Sequence, residues 1–250
     1  MDIMRKKILS LLLLAGCTPW VYAQRTMDVL DRGLVAVKTA DGVFASWRID
    51  GTEYYDTRYN LYRDGVKVNA EPLEVSNFMD SDGTGTSTYT VRAVVRGVEQ
   101  EACSPVVVWN KQYLEIPMGR VYSRRGTDIT GDYILNDATA ADLDGDGQME
   151  VIVKRIYNND ALFDVANDSA YTFFEAYKLD GTKLWAIDVG PNMISSGQVE
   201  LNVIAYDWDR DGKAELAMRA MDGTIIYDAE GNRQATVGSM TANYRNMISH

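Results

Sequence analysis

Residues 142–150 read DLDGDGQME, and residues 207–215 repeat the pattern as DWDRDGKAE. Both stretches place carboxylates at positions 1, 3, 5 and 9 and a glycine at position 6. The glycine lets the backbone bend sharply, so the carbonyl at position 7 can join a shell of about six to eight oxygens, as Ca²⁺ prefers. We therefore predict two calcium sites. Their ligands are Asp142, Asp144, Asp146 and Glu150 in the first loop and Asp207, Asp209, Asp211 and Glu215 in the second.

The spacing also distinguishes these loops from other acidic motifs. An EF-hand loop starts in the same way, but its closing acid lies at position 12 and helices flank it, whereas here apolar, strand-like sequence follows position 9. Mg²⁺ keeps its waters and rarely uses an all-protein cage, and no His or Cys lies nearby for Zn²⁺. A solvated acidic turn is the alternative, but four carboxylates in nine residues repel one another without a cation. We interpret the ions as structural.

The first half of the chain has a sequence pattern typical of a small β-sandwich. Short β-branched and aromatic runs alternate with Asp-Gly turn signals, and residues 61–68 (LYRDGVKV) are typical of a hairpin with a two-residue turn. We predict a fibronectin type III-like sandwich over residues 26–110. Trp47 is the expected core tryptophan, and Tyr89 is the expected corner tyrosine.

The second half, residues 113–250, predicts the first blades of a β-propeller. A strand is expected at residues 113–119, and each acidic loop is followed by an apolar strand and then an Asp-Gly-Thr turn, at residues 180–182 and 222–224. A closed propeller needs at least about four blades of ~40–50 residues. Since residues 113–250 supply about three, we expect an incomplete propeller that forms the front part of a longer domain.

Charge and the N-terminal residues indicate an exported protein. The net charge is −11, and residues 1–23 carry a net +2, so a chain beginning at Gln24 carries −13 and does not suit nucleic-acid binding. Residues 1–23 resemble a signal peptide cleaved after Ala23. Residues 14–17 (LAGC) also resemble a bacterial lipobox with Cys17 as the lipid-carrying residue, and this alternative remains open. Either way, Cys103 has no intrachain disulfide partner and is expected to be a buried strand residue.

Several stretches outside the acidic positions resemble a known protein family. Residues 133–137 (YILND) lead into the first loop, residues 175–185 read EAYKLDGTKLW, and residues 209–215 read DRDGKAE. Together with the secretion signal and the small sandwich, this order resembles the rhamnogalacturonan lyases of polysaccharide lyase family 11. The resemblance covers most of residues 27–250. It implies an eight-bladed propeller carrying several calcium ions, and cleavage of the rhamnose–galacturonate backbone of pectin by β-elimination.

The chain departs from the family pattern at two places. Residues 197–202 read GQVELN where family members carry a histidine within GAHYTQ, and residues 154–159 read KRIYNN where a Lys-Trp pair followed by Pro-Ser-Asn is usual. We assign no catalytic residue, because the resemblance implies that the family's base and substrate-binding cations lie in later blades. Lys154 and Arg155 are conceivable carboxylate binders, although a solvated pair at a strand end is the favoured interpretation. His250 is the only histidine.

Two functions follow from these patterns. The first is a secreted, monomeric rhamnogalacturonan lyase acting on an acidic plant polysaccharide, of which this chain alone is expected to be inactive. The second is a non-catalytic, calcium-stabilised propeller for adhesion or carbohydrate binding.

Overall fold

The computed structural model describes residues 30–157, 171–193, 202–242 and 244. The predicted signal peptide with Cys17, residues 197–201 and His250 lie outside these residues. Sixteen strands and one 3₁₀ turn, Thr130–Asp132, make up the secondary structure of the described part. That part contains no α-helix, and therefore no helix long and apolar enough to cross a membrane. The all-β prediction is confirmed.

Two sheets form the N-terminal half. One sheet has the order β1-β2-β5 and the other the order β4-β3-β6-β7, with β8 also paired to β6. All strand pairs in both sheets are antiparallel. The strands are β1 (Val35–Thr39), β2 (Gly42–Ser46), β3 (Arg58–Arg63), β4 (Val66–Lys67), β5 (Asn77–Asp80), β6 (Thr88–Val95), β7 (Val98–Ala102) and β8 (Val106–Val107).

One hydrophobic core joins these two sheets. Trp47 is buried where the first sheet ends, and its ring meets Tyr59 of β3 edge to face with centroids 5.5 Å apart. Val43 and Ala45 of β2 face Leu61 and other buried residues of the second sheet. The core assignment of Trp47 is therefore confirmed. Cys103 lies at the edge of the same core, buried and without a disulfide partner among the described residues.

Two tight turns shape the second sheet. The predicted hairpin at Asp64-Gly65 joins β3 to β4, and both residues have positive φ, 50° and 81°. Arg96-Gly97 makes an equivalent turn between β6 and β7, with φ of 50° and 80°. This second hairpin escapes prediction because arginine, unlike Asn or Asp, is not a residue that normally signals a left-handed turn position.

Tyr89 differs in detail from a corner tyrosine. Its buried hydroxyl donates to Asp80 Oδ2 at 2.7 Å instead of to an upstream backbone carbonyl. Asp80 also accepts from Arg63 Nη1 at 2.7 Å. Burial and the neighbouring carboxylate raise the pKa of Tyr89, so the phenol stays protonated and ties β6 to β5.

The segment after residue 110 runs along the next sheet without joining it. The predicted strand at residues 113–119 is wrong, since this stretch forms no ladder. Gly119 instead donates its N–H to the hydroxyl of Tyr177 at 3.1 Å. Further along, Val121 and Ile129 pack with Tyr133 and Phe173 in a small cluster that covers one face of that sheet.

The C-terminal half contains a six-stranded sheet with the order β16-β15-β12-β11-β10-β9 and a separate hairpin β13-β14. All pairs are antiparallel. The strands are β9 (Tyr133–Ala141), β10 (Glu150–Tyr157), β11 (Phe173–Tyr177), β12 (Lys183–Asp188), β13 (Val203–Tyr206), β14 (Glu215–Met218), β15 (Ile225–Asp228) and β16 (Arg233–Thr236). Ile152, Phe174 and Ile187 of the large sheet pack against apolar residues of the hairpin.

The two Asp-Gly-Thr sequences occupy different positions in this arrangement. Residues 180–182 form the turn between β11 and β12. Residues 222–224 instead lead from β14 into β15, which pairs with β12 and thereby extends the first sheet. Both triplets form turns as predicted, but only the first joins the two strands of a hairpin, because the second connects two different sheets.

Candidate metal and substrate sites

Each acidic loop connects two neighbouring antiparallel strands. The first loop lies between β9 and β10, with Ala141 opposite Glu150, and the second lies between β13 and β14, with Tyr206 opposite Glu215. The position-9 glutamate therefore opens the next strand in both cases. No helix flanks either loop, so the interpretation as a β-hairpin loop instead of an EF-hand is confirmed.

In the first loop, the position-1 carboxylate organises the turn. Asp142 Oδ1 accepts the N–H of Gly145 at 2.7 Å, and its Oδ2 accepts the N–H of Gly147 at 2.8 Å. Both glycines have φ near the left-handed region, 82° and 83°, which a side chain would disfavour. The loop thus wraps around the carboxylate of its first residue.

The second loop repeats this geometry with one substitution. Asp207 accepts the N–H groups of Arg210 at 2.7 Å and Gly212 at 3.0 Å. Arg210 takes the place of the first glycine and still adopts a positive φ of 68°. Because a non-glycine residue rarely adopts this conformation, the loop geometry must be held by its surroundings.

The carboxylates converge more completely in the second loop than in the first. Oxygens of Asp207, Asp209, Asp211 and Glu215 lie within 4.8 Å of one another. In the first loop the same holds for Asp142, Asp144 and Asp146, without Glu150. Glu150 Oε2 accepts the N–H of Leu143 at 2.7 Å, as Glu215 Oε2 does from Trp208 at 2.9 Å. Seven of the eight predicted ligands are therefore brought into two clusters.

A lysine that the sequence analysis did not single out neutralises part of the first loop. Lys178, just after β11, forms ion pairs with Asp144 and, at 3.4 Å, with Asp146. Asp144 Oδ1 is nevertheless buried without a hydrogen-bond partner. Burial, together with the neighbouring aspartates, raises the pKa of Glu150. An unsatisfied oxygen within an all-oxygen cluster fits a hard divalent cation.

Lys154 and Arg155 do not form a solvated pair at a strand end, so that interpretation is wrong. Both lie in the interior of β10 and are about 95% buried, at 4% and 5% relative exposure. The strand is covered on both faces, so two adjacent polar residues are buried on opposite sides of the sheet. Coverage of both faces of the strand depends on tertiary packing, which the alternation of residues in the sequence does not predict.

Lys154 faces a small cleft of about 190 Å³, which is also lined by Asp137, Thr139 and Asn202. Burial lowers the pKa of Lys154, and the negative charge of Asp137 partly opposes that shift. In the pairing of β9 with β10, Lys154 lies opposite Asp137 while Arg155 lies opposite Leu135, so Asn136 is an extra residue in a β-bulge. Bulges of this kind re-aim side chains and are frequent next to active sites.

Arg155 belongs to a buried ion cluster on the other face. Its Nε lies 2.6 Å from Glu175 Oε2, and Lys183 Nζ lies 2.5 Å from Glu175 Oε1. Arg155 Nη2 also donates to the carbonyl of Gly119 at 2.8 Å. Tyr177 lies beside the cluster, and burial followed by the charge of Glu175 raises its pKa to about 12. The cluster fastens the segment after residue 110 to the sheet.

Comparison with known proteins identifies the family of the chain. The family model described as "Rhamnogalacturonan lyase family 11, C-terminal domain" matches residues 113–250, the part that contains both acidic loops. The chain belongs to rhamnogalacturonan lyase family 11. A second model, for the "Rhamnogalacturonan I lyases beta-sheet domain", matches residues 25–109 of this family 11 chain.

Two curated relatives from Bacillus subtilis (strain 168) are similar to the family 11 chain. Rhamnogalacturonan endolyase YesW is 44% identical over 227 residues, which covers 90% of this chain and 35% of the relative. Rhamnogalacturonan exolyase YesX is 41% identical over 230 residues, covering 89% and 36%. The chain thus spans about a third of the length of these relatives.

Solved structures agree with the sequence matches. The crystal structure of rhamnogalacturonan lyase YesW at 1.40 Å resolution superposes with a TM-score of 0.75 at 44% identity, over 90% of this chain and 38% of that one. The Bacillus licheniformis rhamnogalacturonan lyase superposes with a TM-score of 0.74 at 40% identity, over 89% and 37%. The fold of the family 11 chain is therefore that of the corresponding third of these lyases.

Proposed function

We propose that the chain is the N-terminal portion of a rhamnogalacturonan lyase that cleaves the rhamnose–galacturonate backbone of pectin by β-elimination. The observation that carries this proposal is the 44% identity to a rhamnogalacturonan endolyase over 90% of the chain. Because the chain spans about a third of that relative, activity is a property to be tested on the whole gene product.

β-Elimination requires a positive charge beside the galacturonate carboxylate, so that the neighbouring C5 proton becomes acidic enough for a base to remove. Lys154 can supply the positive charge beside the carboxylate. Its ammonium group faces a cleft, is largely withdrawn from water and makes no ion pair within 4 Å among the described residues. Asp137 favours its protonated form. We propose Lys154 as a residue that binds a substrate carboxylate, and we assign no base.

We further propose that the two acidic loops bind calcium. Asp142, Asp144 and Asp146 would hold one ion, and the four carboxylates of the second loop would hold the other, with the unsatisfied Asp144 oxygen as support. Calcium bound there would neutralise the clustered carboxylates and brace the strand connections. The carboxylates that hold each ion would then keep β9 beside β10 and β13 beside β14.

The finer architecture and the cellular location belong to the same proposal. The two-sheet half, residues 26–110, is a fibronectin type III-like sandwich, and residues 113–250 begin a propeller of eight blades. The residue pattern at 1–23 supports export, either by signal cleavage or as a lipoprotein anchored through Cys17. The net charge of −11 fits a partner that is a polysaccharide handled through local cations, not a nucleic acid.

The whole gene product tests the proposal. Purified enzyme mixed with rhamnogalacturonan in calcium is expected to release an unsaturated sugar, followed by its ultraviolet absorbance, and prolonged chelation is expected to lower both activity and thermal stability. Polymer that remains intact across the pH range would refute the lyase proposal and favour a non-catalytic propeller. Activity and stability that both ignore chelation would refute the calcium proposal alone.

A further inference from the structure

A second cleft, separate from that of Lys154, lies between the N-terminal two-sheet half and the six-stranded sheet. Its volume is about 630 Å³, within the usual range for sites that bind small molecules or short oligosaccharides. The first half contributes Arg48, Val107 and Trp109, and the second half contributes Gln148, Met149 and Leu179. The walls are therefore largely apolar and come from both halves of the chain.

Arg48 is the only charged residue among the described residues that line this cleft. Among the residues that the structure describes, it has no carboxylate within ion-pairing distance. Its neighbour Arg32, by contrast, pairs with Glu53 at 2.6 Å. A half-buried guanidinium without a counter-ion in an apolar cleft favours a carboxylate ligand, since two parallel N–H groups match the two carboxylate oxygens.

The backbone holds Arg48 in place. Arg48 donates its N–H to the carbonyl of Arg32 at 2.7 Å. Gly33, with φ of 52°, lies directly beneath the guanidinium, because a Cβ at this position would come within 2.5 Å of Arg48 Nε. The glycine thus leaves the space that the arginine side chain needs to reach the cleft.

Trp109 provides a rigid apolar surface beside this charge. Its backbone is fixed on both sides, since its N–H donates to Ala36 and its carbonyl accepts from Lys38, each at 2.8 Å. The side chain is partly exposed, as are the neighbouring Val107 and Leu179. A fixed indole offers a flat face for the C–H groups of a pyranose ring at little cost in conformational entropy.

We infer that this cleft binds a galacturonate-containing oligosaccharide of the pectic backbone, with a uronate carboxylate on Arg48 and a sugar ring against Trp109. The charge of Arg48 selects this occupant, because a guanidinium without a counter-ion in an apolar cleft favours an anionic ligand. The methyl group of rhamnose suits the apolar walls. The inference rests on the proposed function for the identity of the polysaccharide.

Calorimetric titration of the full chain with two matched ligands tests the inference. One ligand is a defined rhamnogalacturonan oligosaccharide, and the other is the same oligosaccharide with its carboxyl groups reduced to alcohols. We expect the acidic form to bind about tenfold more tightly. Arg48→Gln should remove this preference, whereas Arg96→Gln, which changes an exposed arginine packed over Tyr54, should keep it. Trp109→Phe should weaken binding of both ligands.

An Arg48→Gln chain that still prefers the acidic ligand as strongly as the wild type would overturn the inference. If that variant fails to fold, Arg48→Lys serves instead, with an expected partial loss of preference because lysine lacks the planar fork. The lyase proposal is judged separately by product release. Binding that depends on Arg48, without cleavage, would refute only the lyase proposal. Cleavage, with binding that does not depend on Arg48, would refute only the inference about the cleft.

Discussion

Lys154 and Arg155 are consecutive residues whose side chains enter two different environments. Arg155 is compensated by Glu175 at 2.6 Å, whereas Lys154 is buried beside Asp137 without an ion pair in the described part of the chain. A buried charge with a partner is held in place, and one without a partner destabilises the fold unless a ligand compensates it. The contrast separates a structural residue from a candidate binding residue.

Replacing Lys154 with methionine should stabilise the chain and weaken substrate binding at the same time. We expect a gain of about 1 kcal/mol, or ~2–4 °C in Tm for a chain of this size, because the cost of burying the ammonium disappears. In the whole enzyme the same change should lower kcat/KM. Calorimetry and product release measure the two effects, with Lys111→Met, an exposed lysine, as the control.

The stability gain should also depend on pH in a defined direction. Since the pKa of Lys154 is lowered from 10.5 in the folded chain, the unfolded chain binds more protons between the two values. Below the folded-state pKa, burial of the charged ammonium group therefore lowers the free energy of unfolding of the wild type by its full amount. The wild type regains this stability as the pH rises towards 10.5. The stability gain of Lys154→Met over the wild type should therefore shrink over that pH range. A gain that grows with pH would contradict the burial of a charged Lys154.

Single residues differed in how far the sequence could predict them. The clustering of seven of the eight predicted acidic ligands follows from spacing alone, because glycine and carboxylate positions within one loop fix a local geometry. Lys178 and Glu175 could not be identified in this way. Their partners Asp144 and Arg155 lie more than nineteen positions earlier, and only the pairing of strands brings them together.

At the scale of elements, the first acidic loop and the hairpin end at Lys178 act on one another. The ammonium group lies against Asp144 and Asp146, where it would compete with the proposed calcium ion for the same oxygens. The second loop has its four carboxylates in one cluster. The two loops are therefore expected to differ in calcium affinity although their sequences match.

Lys178→Met should tighten calcium binding at the first loop several-fold and leave the second loop unchanged. Removing a positive charge that faces the site lowers both competition and repulsion, and the effect should be larger at low salt. Two-site calorimetric titration measures the change, with Asp209→Asn identifying the second site. Affinities at both sites equal to the wild-type values would contradict this account.

Strands were predictable where turn chemistry and alternation agreed. β6, Thr88–Val95, is one of the β-branched and aromatic runs expected in the first half, and the Asp64-Gly65 turn has the expected conformation. β7 was missed because its residues, Val98–Ala102, are all exposed and mostly polar. The stretch at residues 113–119 has strand-like composition, but it binds the sheet through Gly119 and a tyrosine hydroxyl instead of a ladder.

At the scale of the whole chain, Asp31 connects the two halves. Its N–H donates to the carbonyl of Gly147 at 3.0 Å, and its Oδ2 accepts from Gln148 Nε2 at 3.1 Å. The same oxygen accepts the N–H of Ser104 at 2.9 Å in the first half. One carboxylate thus links the two-sheet half to the first acidic loop, which no local sequence pattern indicates.

Asp31→Ala should separate the unfolding of the two halves. We expect a loss of about 2 kcal/mol from two hydrogen bonds to a charged acceptor. In scanning calorimetry, one transition should become two or shift to lower temperature. Gln148→Ala removes only the contact to the acidic loop and should have a smaller effect. A single transition with an unchanged midpoint in Asp31→Ala would contradict the link.

The crossover that carries β15 and β16 onto β12 has a consequence for how the protein behaves in concentrated solution. Without this hairpin, β12 would present a free row of backbone N–H and C=O groups, which invites pairing with another molecule. The added outermost strand, Arg233–Thr236, is short, mostly exposed and carries a charge. Such a strand is a poor template for edge-to-edge association, so the hairpin protects this side of the molecule from aggregation.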